Sequence, residues 1–127
     1  MNGVRIVSFG AFLLTSTING CVAQGQPVTI LSSGGNQCGE YVAAPAASKA
    51  IYLAWTVGFL SGANWEDSAE RRSIGEGWKS DSIMLWLDGF CQRRPLSLFA
   101  TGAECLREAL AEEQGIRSQK PAPTICN

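Results

Sequence analysis

The chain contains no histidine, so the side chain that most often serves as general base and metal ligand is missing from the outset. Catalysis would have to rest on carboxylates or cysteines. Two carboxylates alone suffice for glycan hydrolysis, one acting as acid and the other as base or nucleophile. Glu40, Asp67 and Asp88 are the candidates. Asp88 lies in Trp86-Leu87-Asp88-Gly89-Phe90, next to an apolar helix face, but nothing in the sequence specifies a second carboxylate at the required separation. The expectation is that Asp88 caps a loop or pairs with Arg93 or Arg94, and that the protein is not an enzyme. Gly75-Glu76-Gly77 lacks the strand and helix that frame a phosphate-binding loop. Gly58-Phe59-Leu60-Ser61-Gly62 is not a nucleophile elbow, which needs G-x-S-x-G after a strand. No catalytic, cofactor-binding or metal-binding residue is assigned.

The cysteines carry more information. Arg5 is followed by an apolar run from Ile6 to Ile18, and Cys21-Val22-Ala23 offers small residues before Gln24. This is the pattern of a secretory signal peptide over residues 1–23, too short in its apolar part for a comfortable membrane span. Ile18-Asn19-Gly20-Cys21 also resembles a lipoprotein box, in which Cys21 would be lipidated and anchor the chain to a membrane. Either way Cys21 leaves the disulfide count, and Cys38, Cys91, Cys105 and Cys126 remain. An even number in an exported chain implies two bridges in an oxidising compartment, periplasmic or secreted. Four cysteines permit three pairings. The favoured one joins Cys38 to Cys91, closing a long loop worth roughly 4 kcal/mol, and Cys105 to Cys126, tying down the tail for about 3 kcal/mol. Zinc is not expected, because no C-x-x-C pair occurs.

A third set of residues could bind. Between Asn64 and Lys79 the chain holds Glu66, Asp67, Glu70, Arg71, Arg72 and Glu76, with helix-breaking Gly75 and Gly77. Trp65 and Trp78 bracket this connection, which is longer than most helix–helix loops and therefore a candidate recognition element. Trp65, Arg71, Arg72 and Trp78 are the candidate partner-contact residues. The plainer alternative is a solvated loop with a short helical turn at Asp67–Arg72 and both tryptophans tucked onto the core.

The elements that position these groups read as helices. Residues 24–37 form an irregular arm of Gly, Ser, Asn and Gln around Val28-Thr29-Ile30-Leu31. A first helix opens at Pro45 or Ser48 and runs to about Ala63. It is apolar nearly all round, which predicts a place in the middle of a bundle, and Gly58, Ser61 and Gly62 predict close approach by another helix. A second helix opens at Ser80 or Asp81, presents Ile83, Trp86 and Phe90 with Met84, Leu87 and Cys91 beside them, and ends before Pro95. A third starts near Pro95 to Ser97 and carries Leu96, Phe99, Ala103, Leu106 and Leu110. It stops at Gly115, with Glu104 and Arg107 paired on its outer side. The expected fold is all-α: a small three- to four-helix domain over residues 38–127, stapled by two disulfides and preceded by the irregular arm.

Three segments together are more specific than helical patterning: Cys38-Gly39-Glu40-Tyr41, then Tyr52-Leu53-Ala54-Trp55-Thr56-Val57-Gly58-Phe59-Leu60-Ser61-Gly62, then Trp86-Leu87-Asp88-Gly89-Phe90-Cys91 followed by Pro95. Over roughly Cys38 to Leu110 the chain resembles small periplasmic helical proteins grouped with the HdeA/HdeB acid-stress chaperones. It is also similar to Tai-type immunity proteins, which neutralise type VI secretion amidases. The chaperone resemblance implies a Cys38–Cys91 bridge between the first and middle helices. The immunity resemblance implies a G-x-x-x-G-like central helix at Gly58 and Gly62 and a C-terminal cysteine at Cys126. The long Trp-bracketed loop and Cys105 depart from both.

With a net charge of −1 the chain has no electrostatic grip on nucleic acid. The expected role is a non-catalytic cell-envelope protein acting by protein–protein contact. Its partner is either an unfolded client, in an acid-stress chaperone, or an effector enzyme plugged by the 64–79 connection. A membrane is a partner only if Cys21 is lipidated, and no cofactor is expected.

Overall fold

The computed structural model describes residues 29–66, 73–116 and 124–126. The signal-peptide segment and Cys21 lie outside them, as do Asp67, Glu70, Arg71 and Arg72. Among the described residues there are four α-helices and no strand: α1 Cys38–Ala43, α2 Ala46–Glu66, α3 Ser80–Arg93 and α4 Phe99–Glu113. Short 3-10 turns occupy Ser32–Gly35 and Thr124–Cys126.

Two disulfides fix the arrangement, Cys38–Cys91 and Cys105–Cys126. These are bonds that an oxidising compartment forms and keeps. The first staples α1 to α3, and the second holds the tail on α4. None of the described helices is long and apolar enough to cross a membrane.

The residues around the first disulfide explain one another. The opening N–H groups of a helix have no partner within it. In α1 those of Cys38 and Gly39 donate to the carbonyls of Ser97 and Pro95, both at 2.8 Å. The Phe99 N–H donates to Asn36 O, also at 2.8 Å, and Gln37 and Leu98 form an isolated antiparallel bridge. A β-carbon on Gly39 would stand 3.3 Å from Pro95 O, so any other residue would require the junction to give by a few tenths of an ångström. Cys38-Gly39 and Cys91 through Pro95 are thus two halves of one junction.

The core is aromatic where α1, α2 and α4 meet. The rings of Tyr41, Tyr52 and Phe99 lie 4.8–5.1 Å apart in edge-on or tilted pairs, the geometry that ring quadrupoles favour. Trp55 extends the cluster, stacked on Phe59 and covering Gly34. Its Nε1–H donates to Leu31 O, and Asn36 Nδ2 donates to the Tyr52 hydroxyl. From Leu31 onward, therefore, the arm is packed against the body. Ile83, Leu87 and Phe90 of α3 and Leu106 and Leu110 of α4 belong to the same continuous core, in which the two helices are in contact.

Several expectations are corrected. Residues 38–43, which precede the first helix expected from patterning, form a helix of their own. The third expected helix starts at Phe99, because 95–97 is a turn that serves α1; Leu96 is 83% exposed and outside the helix. α2 does not occupy the middle of the bundle. It buries the stripe Tyr52, Thr56 and Leu60 and leaves the opposite side open. A β-carbon at Gly58 or Gly62 would meet nothing within 4 Å, so none of the described helices approaches there. The close approach is made instead by Gly102 of α4, where a β-carbon would stand 3.0 Å from Phe90 Cδ1.

Candidate binding surface

Two regions could carry function: a charged clasp over Tyr41 and the outer face of α2.

In the clasp, Lys49 Nζ of α2 donates to Asp88 Oδ1 of α3 at 2.8 Å and sits 4.7 Å from the centroid of the Tyr41 ring. Tyr41 is fully buried, with its hydroxyl at long hydrogen-bond range, 3.5 Å, from Met84 O. Burial first, and then the Asp88 carboxylate beside it, push the ionisation of this phenol well above its ordinary value. Asp88 therefore pairs with Lys49, not with Arg93 or Arg94 as expected from sequence, and Arg94 lies over the Phe90 ring instead. Helical spacing brings Lys49 to Asp88: it lies on the inward stripe one turn before Tyr52, whereas Arg93, five positions after Asp88 on α3, is exposed on a different side of the helix. Of the other carboxylates proposed for hydrolysis, Glu40 is exposed on α1 and Asp67 lies outside the described residues.

A second charged group was misplaced by sequence reasoning. Arg107 is buried at 6% exposure, not outward-facing. Its guanidinium donates to Glu104 at 2.9 Å and to Glu108. Its place one residue after the core residue Leu106 brings it under cover, a consequence of how much of α4 is wrapped.

The Trp-bracketed connection is more ordered than a solvated loop where it is described. The Asn64 side chain clamps Ile74, accepting from its N–H at 2.8 Å and donating to its carbonyl at 3.1 Å. Gln114 at the end of α4 accepts from the Gly75 N–H at 2.9 Å. Gly75 and Gly77 both have positive φ, which glycine adopts without strain. Ile74 is buried and Trp78 packs against the core. The two tryptophans part company: Trp78 is tucked in, while Trp65 is 85% exposed.

Trp65 belongs to a larger feature. Along the outer side of α2 run Ala47, Ile51, Ala54, Gly58, Ser61 and Trp65, flanked by Ala50, Val57 and Gly62, and every one is exposed. None of these nine is charged. Lys49, the one charged residue from 46 to 65, is drawn to the other side by Asp88. The Ser61 hydroxyl donates back to Val57 O at 2.7 Å and so is satisfied within the helix. The result is an uncharged strip about 27 Å long, from 1.5 Å of rise per residue. Sequence reasoning noted these small residues but assigned them to the interior.

Comparison with known proteins adds no assignment: no family model, curated protein or solved structure matches the chain. Among the described residues no group of three or more acidic or cysteine side chains is placed to hold a metal ion.

Proposed function

We propose that this is a non-catalytic binding protein of the cell envelope, of the acid-stress chaperone type, which offers apolar helix faces to unfolded clients when the surroundings acidify. The observation that carries this reading is the placing of the internal charges. Lys49 is held between α2 and α3 by Asp88, and the buried Arg107 by Glu104 and Glu108. In a chain without histidine, acidification acts on such contacts through carboxylates alone. Protonation removes negative charge from beside a buried guanidinium, a change that costs stability. The same protonation leaves the ten Lys and Arg, less Arg5 of the leader, as nine uncompensated positive charges, whose repulsion favours expansion. The disulfides keep the opened chain tethered, so that it can close again.

The test is light scattering of an acid-sensitive client with the oxidised mature protein at pH 2–3 and at pH 7. Suppression at low pH only, together with loss of near-ultraviolet circular dichroism, is the expected outcome. No suppression at pH 2–3 would overturn the reading and leave the effector-inhibitor alternative, for which the exposed Trp65 within the 64–79 connection speaks.

A further inference from the structure

We infer that the Cys105–Cys126 bridge is exchangeable in the folded protein. An external thiol opens it at Cys126 Sγ, forms a mixed disulfide there and releases the tail from α4, while Cys38–Cys91 stays closed. The inference requires the oxidised chain and stands apart from any response to acid.

The two bridges differ in access. Cys38 and Cys91 are both 0% exposed. Beside them the Cys38 and Gly39 N–H groups are tied to Ser97 O and Pro95 O at 2.8 Å. A thiolate reaches this bond only after the α1 junction comes apart, and such openings are rare excursions of a folded chain.

At the tail, access is one-sided. Cys105 lies inside α4 at 2% exposure, whereas Cys126 is partly exposed on a 3-10 turn whose Thr124 and Ile125 face solvent. Among the described residues no hydrogen bond joins Thr124–Cys126 to the helices. Pro121 and Pro123, just before the turn, have no N–H to donate. What holds the turn is the bridge itself and the packing of Cys126 on the core. Exchange depends on which sulfur an attacking thiolate can reach, and accessible bridges are the labile ones.

The chemistry follows from that asymmetry. A thiolate attacks Cys126 Sγ, the new S–S bond forms, and the bond to Cys105 breaks. Its electron pair leaves with Cys105 Sγ, which takes a proton from water. A second thiolate attacks the external sulfur of the mixed disulfide and frees Cys126. In sum two thiols are oxidised to one disulfide, and the bridge gains two electrons and two protons. From the mixed disulfide, Cys105 can attack Cys126 Sγ, expel the thiol and restore the strap. Cys126 is thus a site of reversible S-thiolation. Its release uncovers Cys105 and the part of the core on which Cys126 packs, without parting α1 from α3.

Reduced glutathione is the probe, at about 5 mM and about pH 8, where exchange is fast enough to follow. The oxidised mature protein is sampled over time, quenched in acid, alkylated and mapped by mass spectrometry. Cys105–Cys126 should open at least about a hundredfold faster than Cys38–Cys91, with the glutathione adduct on Cys126 and circular dichroism unchanged. In guanidinium chloride, which exposes all four sulfurs, the ratio should fall below about tenfold. Cys105→Ser leaves Cys126 as a free thiol, which should react with an aromatic disulfide reagent within about tenfold of its rate in denaturant. Opening of both bridges at one rate overturns the proposal, as does Cys38–Cys91 opening first or an adduct on Cys105. So does loss of helix signal as the tail bridge opens, a rate ratio that persists in denaturant, or a Cys126 thiol that reacts only when the variant is unfolded.

Discussion

Tyr41 is the residue at which burial, aromatic packing and charge meet. Its ring packs on Tyr52 and Phe99 while Lys49 lies over its face. Its hydroxyl is held un-ionised by burial and by Asp88, to a pKa above the ordinary 10.0. A folded-state pKa raised above the unfolded one gives stability that is present below about pH 10 and lost as pH rises past it, because the unfolded phenol releases its proton first. Unfolding free energy should therefore fall above about pH 10, with one tyrosine absent from the 295 nm titration until the chain unfolds. Tyr41→Phe should cost about 1 kcal/mol at pH 7 and flatten that alkaline decline. An unchanged alkaline slope in Tyr41→Phe would show that the hydroxyl does not control it.

At the scale of the helix, glycines that look alike in sequence do opposite work. Gly102 lets α4 settle onto Phe90 and Leu87, and a β-carbon there must push the Phe90 ring aside. Gly102→Ala should destabilise by about 1–3 kcal/mol, the usual cost of overpacking. Gly58→Ala meets open space and should stabilise the fold by up to about 1 kcal/mol. Urea midpoints, compared at equal m-values, read both signs directly. A loss of stability in Gly58→Ala would mean that another part of the chain packs there. Helix patterning located α3 well, since Pro95 and the dipole-complementing Arg93 both mark its end. It missed α1, because a six-residue helix is too short to show a period. The α1 signal is instead the glutamate in its first turn and the proline just past its end.

For the molecule as a whole, the disulfides supply what a small core cannot. Cys38–Cys91 spans 53 positions and Cys105–Cys126 spans 21. In the chain-entropy model the first is worth about 4 kcal/mol and the second about 3 kcal/mol. Calorimetry of the double Ser variants should reproduce that order, with Cys38→Ser/Cys91→Ser the more damaging because the α1 junction opens with it. The opposite order would place the main staple at the tail. Cysteine parity and helical class were legible in the sequence because each depends on composition or local spacing; the pairing, one of three that four cysteines permit, was favoured there and is the one the structure shows. The candidate surface was legible only in part. Trp65 stood out as a bulky residue in a charged stretch, but its partnership with Ala47, Ile51, Ala54 and Gly58 depends on which side of α2 the rest of the chain covers.

The sequence alone determined that four cysteines would pair and that helices would dominate. Both follow from residue identity and from periods of three and four positions. Only the tertiary structure decided which helix faces are covered. α2 is apolar all round, so its sequence marks no inward side, and the choice fell to partners distant in the chain: Asp88 drawing Lys49 inward, and Phe99 seating Tyr41, Tyr52 and Trp55. Arg107 was decided the same way, since a charged residue near a core stripe is exposed or buried according to what packs over it.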